Sequence, residues 1–179
     1  MLARGAGVRP AIPLEPLKEG PNATDLAIPE DVLASAPPAK LIQLVQQSQE
    51  HRIKVASTFD DIFEHLVTGG RADEYSGLCE RFKERFDAIS NNLERAASLL
   101  AEEPQIAAMI RAINKDEATR LEKQMKLQVV RQHHSIAEAE SDEAVSGKQH
   151  IHALEAEIKQ LMARIYDTLD ELRCEAADL

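Results

Sequence analysis

Residues 151–179 read IHALEAEIKQLMARIYDTLDELRCEAADL, and in them Ile151, Ile158, Ile165, Leu172 and Leu179 recur every seven residues, with Leu154 and Leu161 in the companion positions. A strict seven-residue repeat keeps one narrow apolar seam facing a partner helix while the two supercoil, so this stretch is a coiled-coil strand. The sequence leaves open whether the partner helix lies in the same chain, in a second copy or in another protein. Ile151, Leu154, Ile158, Leu161, Ile165 and Leu172 are therefore the candidate protein-interaction seam. Thr168 and Glu175 stand where the repeat calls for leucine, so the seam is expected to weaken towards the C-terminus.

Working back along the chain, three more helical patterns appear. Leu41, Val45, Ser48, Arg52, Val55, Phe59, Ile62 and Leu66 alternate steps of four and three, which predicts a helix over 38–67 with a seam that is apolar at both ends and polar mid-way. Thr68-Gly69-Gly70 ends it, glycine supplying the left-handed conformation that closes many helices. Tyr75, Leu78, Phe82, Phe86, Ile89, Leu93, Ala96 and Leu100 then mark a helix over 73–102. So short a connection makes the two an antiparallel hairpin. Pro104 suits the first turn of a third helix over 104–140, carrying Ile106, Ile110, Ile113, Leu121 and Met125. The acidic, small-residue stretch 138–147 predicts a loop. Ser146 and Gln149 fit a capping box that would start the last helix, over 147–177.

Composition agrees with this reading. Hydrophobic residues are 44% of the 179 and charged residues 29%, while aromatics are 3% and tryptophan is absent. Long helices packed side by side use such aliphatic material, whereas enzyme cores and pockets spend more aromatic surface. The expected class is all-α, with elongated antiparallel helical hairpins forming a coiled-coil bundle over 38–179. Seven of the eight prolines fall within the first 38 residues, so 1–37 reads as a disordered or extended arm. Within it, Pro29 followed by Glu30 and Asp31 permits a short docking helix. Arg4 and Arg9 precede any acid, but Gly5, Gly7, Pro10 and Pro13 would break an amphipathic transit helix, so no mitochondrial address is expected.

A formal net charge of -10 opposes a sequence-independent grip on nucleic acid, which depends on Lys and Arg displacing counterions. Lys115, Arg120, Lys123, Lys126 and Arg131 do line the third helix, yet acids are interleaved with them, and Glu122–Lys126 and Asp116–Arg120 are spaced to pair. Direct nucleic-acid binding is not expected. Cys79 and Cys174 lie far apart and read as idle thiols. No apolar run approaches the ~20 residues that cross a membrane.

His133-His134 and the pair His150 and His152 would meet across the last hairpin. Neighbouring helix positions diverge by about 100°, so these side chains do not converge as zinc ligands must. Phosphate-binding glycine loops and nucleophile elbows are absent, as are the strands that frame them. No catalytic residue, cofactor or metal is expected, and the chain is read as a non-enzyme that binds other proteins.

Gln49-Glu50-His51-Arg52, Tyr75, Leu78-Cys79, Phe82, Phe86, Ile89-Ser90, Pro104, Ile110-Arg111 and Leu121-Glu122 resemble the small helical domain family called required for excision one-B. The likeness leaves the proline-rich arm out and carries no catalytic residue to transfer. It implies an accessory or scaffold role in excision of damaged DNA, in the nucleus or cytoplasm. The heptads alone would equally suit a coiled-coil subunit of a cytoskeletal, ciliary or trafficking complex, as a homo- or hetero-oligomer.

Overall fold

The computed structural model describes residues 19–68, 71–136 and 142–177. Two short helices, α1 (Ala23–Leu26) and α2 (Glu30–Ala34), precede four long ones: α3 (Pro38–Thr68), α4 (Tyr75–Leu99), α5 (Pro104–Ile136) and α6 (Asp142–Ala177). A 3-10 turn over Ala72–Glu74 leads into α4, and no strand occurs among the described residues. The chain is all-α.

Cross-helix bonds fix the directions. Arg52 of α3 bonds Ser90 of α4, and Glu94 of α4 accepts from Arg111 of α5, so each consecutive pair is antiparallel. Asp116 and Glu157 accept from Arg164 and Lys123 across α5 and α6, which extends the alternation to the last helix. α3 and α5 consequently run parallel, as the pairs Arg52–Asn114 and Asp60–Gln124 require. The result is an up-down-up-down four-helix bundle. Its main core contains Phe59, Phe82, Ile89, Leu93, Ile110 and Ile113, each at most 2% exposed.

Prolines open α3 and α5, where the missing N–H costs nothing and φ is already helical. The helix expected over 73–102 is α4, which stops at Leu99 with Leu100 as its C-cap. The third helix closes at Ile136 in the described residues, against an expected 140; residues 137–141 lie outside the described ones. The last helix starts earlier than expected, at Asp142. Ser146 and Gln149 are therefore inside α6 and do not stand at its start, where a capping box would have to be. Gly147 faces His134 so closely that a Cβ would stand 3.1 Å from its Nδ1, so any larger residue there would require the imidazole to shift by a few tenths of an ångström. Gly69, Gly70 and Leu179 lie outside the described residues.

The arm departs from expectation between Glu19 and Pro37. It is neither extended nor free of the bundle, since Leu26 and Leu33 are buried at 3% and 1% exposure in the main core. α2 forms where the short docking helix was expected, with Pro29 as its N-cap. Asn92 of α4 holds the arm by accepting from the Ile28 N–H and donating to the Leu26 carbonyl, both within 2.9 Å. Glu19 adds ion pairs to Arg81 and Arg85. Burial alone would raise its carboxyl, but the two guanidiniums bring it below its usual value. Composition pointed elsewhere because two leucines in a proline-rich stretch barely register. Asn92→Ala should leave two buried peptide groups unpaired, lower stability by about 1 to 3 kcal/mol, and raise amide exchange over 19–36 while α5 stays protected.

Candidate functional site

The heptad seam lies inside the chain. Leu154, Ile158, Leu161, Ile165 and Leu172 are all 9% exposed or less, Leu172 fully buried, and Ile151 packs half-buried beside Leu154. Ile165, Leu169 and Leu172 join the main core, while Leu154 and Ile158 form a smaller cluster with Leu127 of α5. The open question of a partner helix is answered by α5, so the seam is not a free contact surface. Its weakening comes later than expected, beyond Leu172, where Glu175 is exposed. The stripe slips by one residue, Leu169 is 7% exposed in the place of Thr168, and Leu172 follows three residues later.

Along α3 the polar middle of the seam becomes a buried layer. Arg52 is 2% exposed, and its Nη2 donates to Ser90 Oγ and Asn114 Oδ1, each at 2.9 Å. Burial pushes its guanidinium down to about 10, against the attraction of Glu117 and with the repulsion of Arg120. It stays charged at neutral pH. Glu117, 7% exposed on its side chain, bonds Arg120 at 2.8 Å. Two turns further along α3, Asp60 Oδ1 accepts from Gln128 at 2.6 Å and Gln124 at 3.2 Å, and Tyr75 donates to Gln128 at 3.0 Å.

This layer opens outward. Three sides of the bundle are closed by packed helix pairs, but α6 leaves α3 and rests mainly on α5. A groove of about 340 Å³ runs between α3 and α6 with α5 beneath. Gln49, Ile53, Ser57 and Asp60 form the α3 wall, with Ala56 beside Ser57, and Ile158, Met162, Ile165, Tyr166 and Leu169 form the α6 wall. Glu117, Arg120 and Gln124 form the floor. Ile53 and Tyr166 are 52% exposed and Met162 38%, which leaves an apolar rim around a polar floor. Gln49 is 4% exposed, and neither its Oε1 nor its Nε2 has a hydrogen-bond partner. A buried carboxamide left so costs about 1 to 3 kcal/mol, a deficit that an occupant with a donor and an acceptor would remove.

Burial raises the Asp60 carboxyl above its ordinary value despite the two amides that bond it. With the folded value above the unfolded one, protonation favours the fold, and stability falls as pH rises through the folded value. Asp60→Asn keeps the acceptor for Gln124 and Gln128 and removes the charge. It should be at least as stable as the parent at neutral pH, with a flatter profile on the acid side in urea titrations. A less stable Asn variant at neutral pH would contradict this account.

A second recess of about 220 Å³ lies between α4 and α5, with Phe59, Phe82, Phe86, Leu121 and Met125 in its lining. It has no buried polar group without a partner among its described lining residues. Its apolar lining also contains Cys79, whose thiol burial pushes up and which is correspondingly a poor nucleophile.

Four of the five basic residues named on α5 are bonded to acids. Lys123 pairs with Glu157, Arg131 with Glu155 and Lys126 with Glu122, the last as its spacing predicted. Arg120 goes to Glu117 instead of Asp116, which is held by Arg164. No group of three His, Cys, Asp or Glu side chains that could hold a metal occurs among the described residues. Among them, no helix is long and apolar enough to cross a membrane.

Residues 40–131, over half of the chain, match the family described as DNA repair REX1-B. The chain belongs to the DNA repair REX1-B family. Neither the curated proteins nor the solved structures contain a match. The REX1-B region covers nearly all of α3, the whole of α4 and most of α5, so it supplies one wall and the floor of the groove. α6, which supplies the other wall, lies beyond it. Gln49, Arg52 and Ser90, among the residues on which the resemblance rested, are the groove amide and part of the buried polar layer.

Sequence reading treated those positions as packing and missed Asp60, Asn114, Glu117, Gln124 and Gln128 as polar partners within the bundle. The available signal was the polar interruption of the α3 seam at Ser48 and Arg52, both 2% exposed in the structure.

Proposed function

We infer that the chain is a non-enzymatic accessory protein of DNA excision repair, working in the nucleus by holding another protein. Membership of the DNA repair REX1-B family supports the repair context. The observation that carries the binding role is the apolar rim of Ile53, Met162 and Tyr166 over the α3–α6 groove. Large side chains left in water around a recess are a cost to a monomer and a gain to a complex. The net charge of -10 supports a protein rather than a nucleic-acid partner.

Survival after ultraviolet irradiation tests this reading. Cells lacking the protein should be sensitised and be restored by the parent chain. They should not be restored by the Ile53→Glu, Tyr166→Glu double variant, whose two positions are exposed enough to accept charge without unfolding the bundle. Full restoration by the double variant, or no sensitisation on loss, would contradict the reading. Location at microtubules or vesicles with unchanged survival would favour a cytoskeletal or trafficking subunit.

A further inference from the structure

We propose that the α3–α6 groove is the seat of one amphipathic helix from a partner protein, with an aliphatic stripe, a central Asn or Gln that pairs with Gln49, and Lys or Arg on its flanks. This rests on the binding role argued above and names the chemistry of what is bound. Three observations carry it.

The walls have helical pitch. Gln49, Ile53, Ser57 and Asp60 on α3, and Ile158, Met162, Ile165 and Leu169 on α6, each span three turns of one helix face. Such rows are the ridges between which another helix settles, and the small side chains Ala56 and Ser57 at mid-wall allow a close approach. The stretch is roughly 16 Å long at 1.5 Å per residue, enough for anchors at i, i+4 and i+7 of a bound helix.

The α3 wall has an unmet demand. Gln49 lines the groove at 4% exposure with both amide atoms buried and unpartnered, and a turn of its side chain towards the groove presents them to an occupant. A helix satisfies its own backbone, so a side chain must supply the missing donor and acceptor together, and a carboxamide does so with two bonds.

The charge is lopsided. Asp60 and Glu117 line the groove, Glu50 lies one turn before Ile53, Asp61 one turn after Ser57, and Asp167 beside Tyr166. Arg120 and the buried Arg52 offset Glu117, which leaves the other four acids against Lys54 and Lys159 on the adjoining surface. With -10 on the whole chain, a cationic flank is steered in and an acidic one is turned away.

The test is selection from a displayed library of helical peptides, randomised over one face and its flanks, on the full chain, with the Ile53→Glu, Tyr166→Glu variant as the counter-target. Enriched peptides should show aliphatic residues at steps of three and four, Asn or Gln between them and basic flanks. Their affinity should fall as salt rises. Binding should drop by roughly tenfold on Gln49→Leu, the loss of a satisfied buried amide pair. Bound peptide should shift the Gln49 side-chain amide resonances. No enrichment, enriched acidic sequences, or equal binding to the double variant would overturn the proposal. A parent dimer whose mass falls to monomer in the double variant would overturn it too, by making a second copy the occupant. If selection fails while the double variant still does not restore ultraviolet survival, the helix is wrong and the binding role stands. If selection succeeds while survival is restored, the groove takes a helix that excision repair does not need.

Discussion

Replacing both Ile158 and Ile165 by lysine should strip the isolated chain of about 3 to 6 kcal/mol, since each buried isoleucine contributes roughly 1.5 to 3 kcal/mol before any cost of burying an ammonium. Ile158 is 9% and Ile165 5% exposed, the first against Leu127 of α5 and the second within the main core. Against a usual total of about 5 to 15 kcal/mol, that loss brings a domain of this size close to unfolding. Urea denaturation followed by circular dichroism reads it. Were the seam a contact between chains, the double variant would keep its unfolding midpoint as a monomer and lose only its partner. The expected outcome is a large drop in midpoint at every protein concentration, because no second chain enters the equilibrium.

Arg52→Ala should be the most damaging single polar substitution, costing roughly 3 to 5 kcal/mol. The side chain is 2% exposed and bridges α3 to α4 through Ser90 and to α5 through Asn114. Alanine leaves a cavity at that depth, an amide and a hydroxyl without their donor, and Glu117 with Arg120 alone as its neighbouring cation. Arg52→Met refills most of the volume and restores no donor. The difference in stability between the Ala and Met variants therefore separates packing from polar satisfaction. A loss under about 1 kcal/mol on Arg52→Ala would show that the layer does not hold the three helices together.

The α6 seam and Arg52 mark what sequence could and could not disclose. The α6 heptads were legible because a seven-residue period has one physical meaning. Their partner was not, because an apolar seam reads the same whether the facing helix is covalently attached or not. The slip from Thr168 to Leu169 was hidden by holding to strict sevens where a local step of four keeps the stripe buried. Arg52 was visible as a polar break in the α3 stripe. Its bonds to Ser90 and Asn114 depended on the register of three helices, which no local pattern encodes.

The groove was the least legible feature. Ile53, Met162 and Tyr166 fall off the main stripes and would be covered if α6 pressed against α3. They become a site because α6 follows α5, drawn by Ile158 and Leu161 and fastened by the pairs Lys123–Glu157, Arg131–Glu155 and Arg164–Asp116. Surface pairs of this kind contribute little singly, ~0.5 kcal/mol each, so they set orientation more than stability. The docked arm was similarly obscured. Its attachment rests on Asn92, a polar residue adjoining the apolar stripe of α4, whose meaning depends on a segment over 60 positions away.

The groove exists only if α6 folds back onto α5 of its own chain, and a distance measurement decides that. With Cys79 and Cys174 replaced by serine, spin labels at positions 116 and 164 report on the two residues joined by the Arg164–Asp116 ion pair. Double electron–electron resonance should give one short separation that keeps its full modulation depth when labelled protein is mixed with a large excess of unlabelled chain. Loss of that short separation on mixing would mean that α6 pairs with another molecule, and the groove with its proposed helix would fall with it.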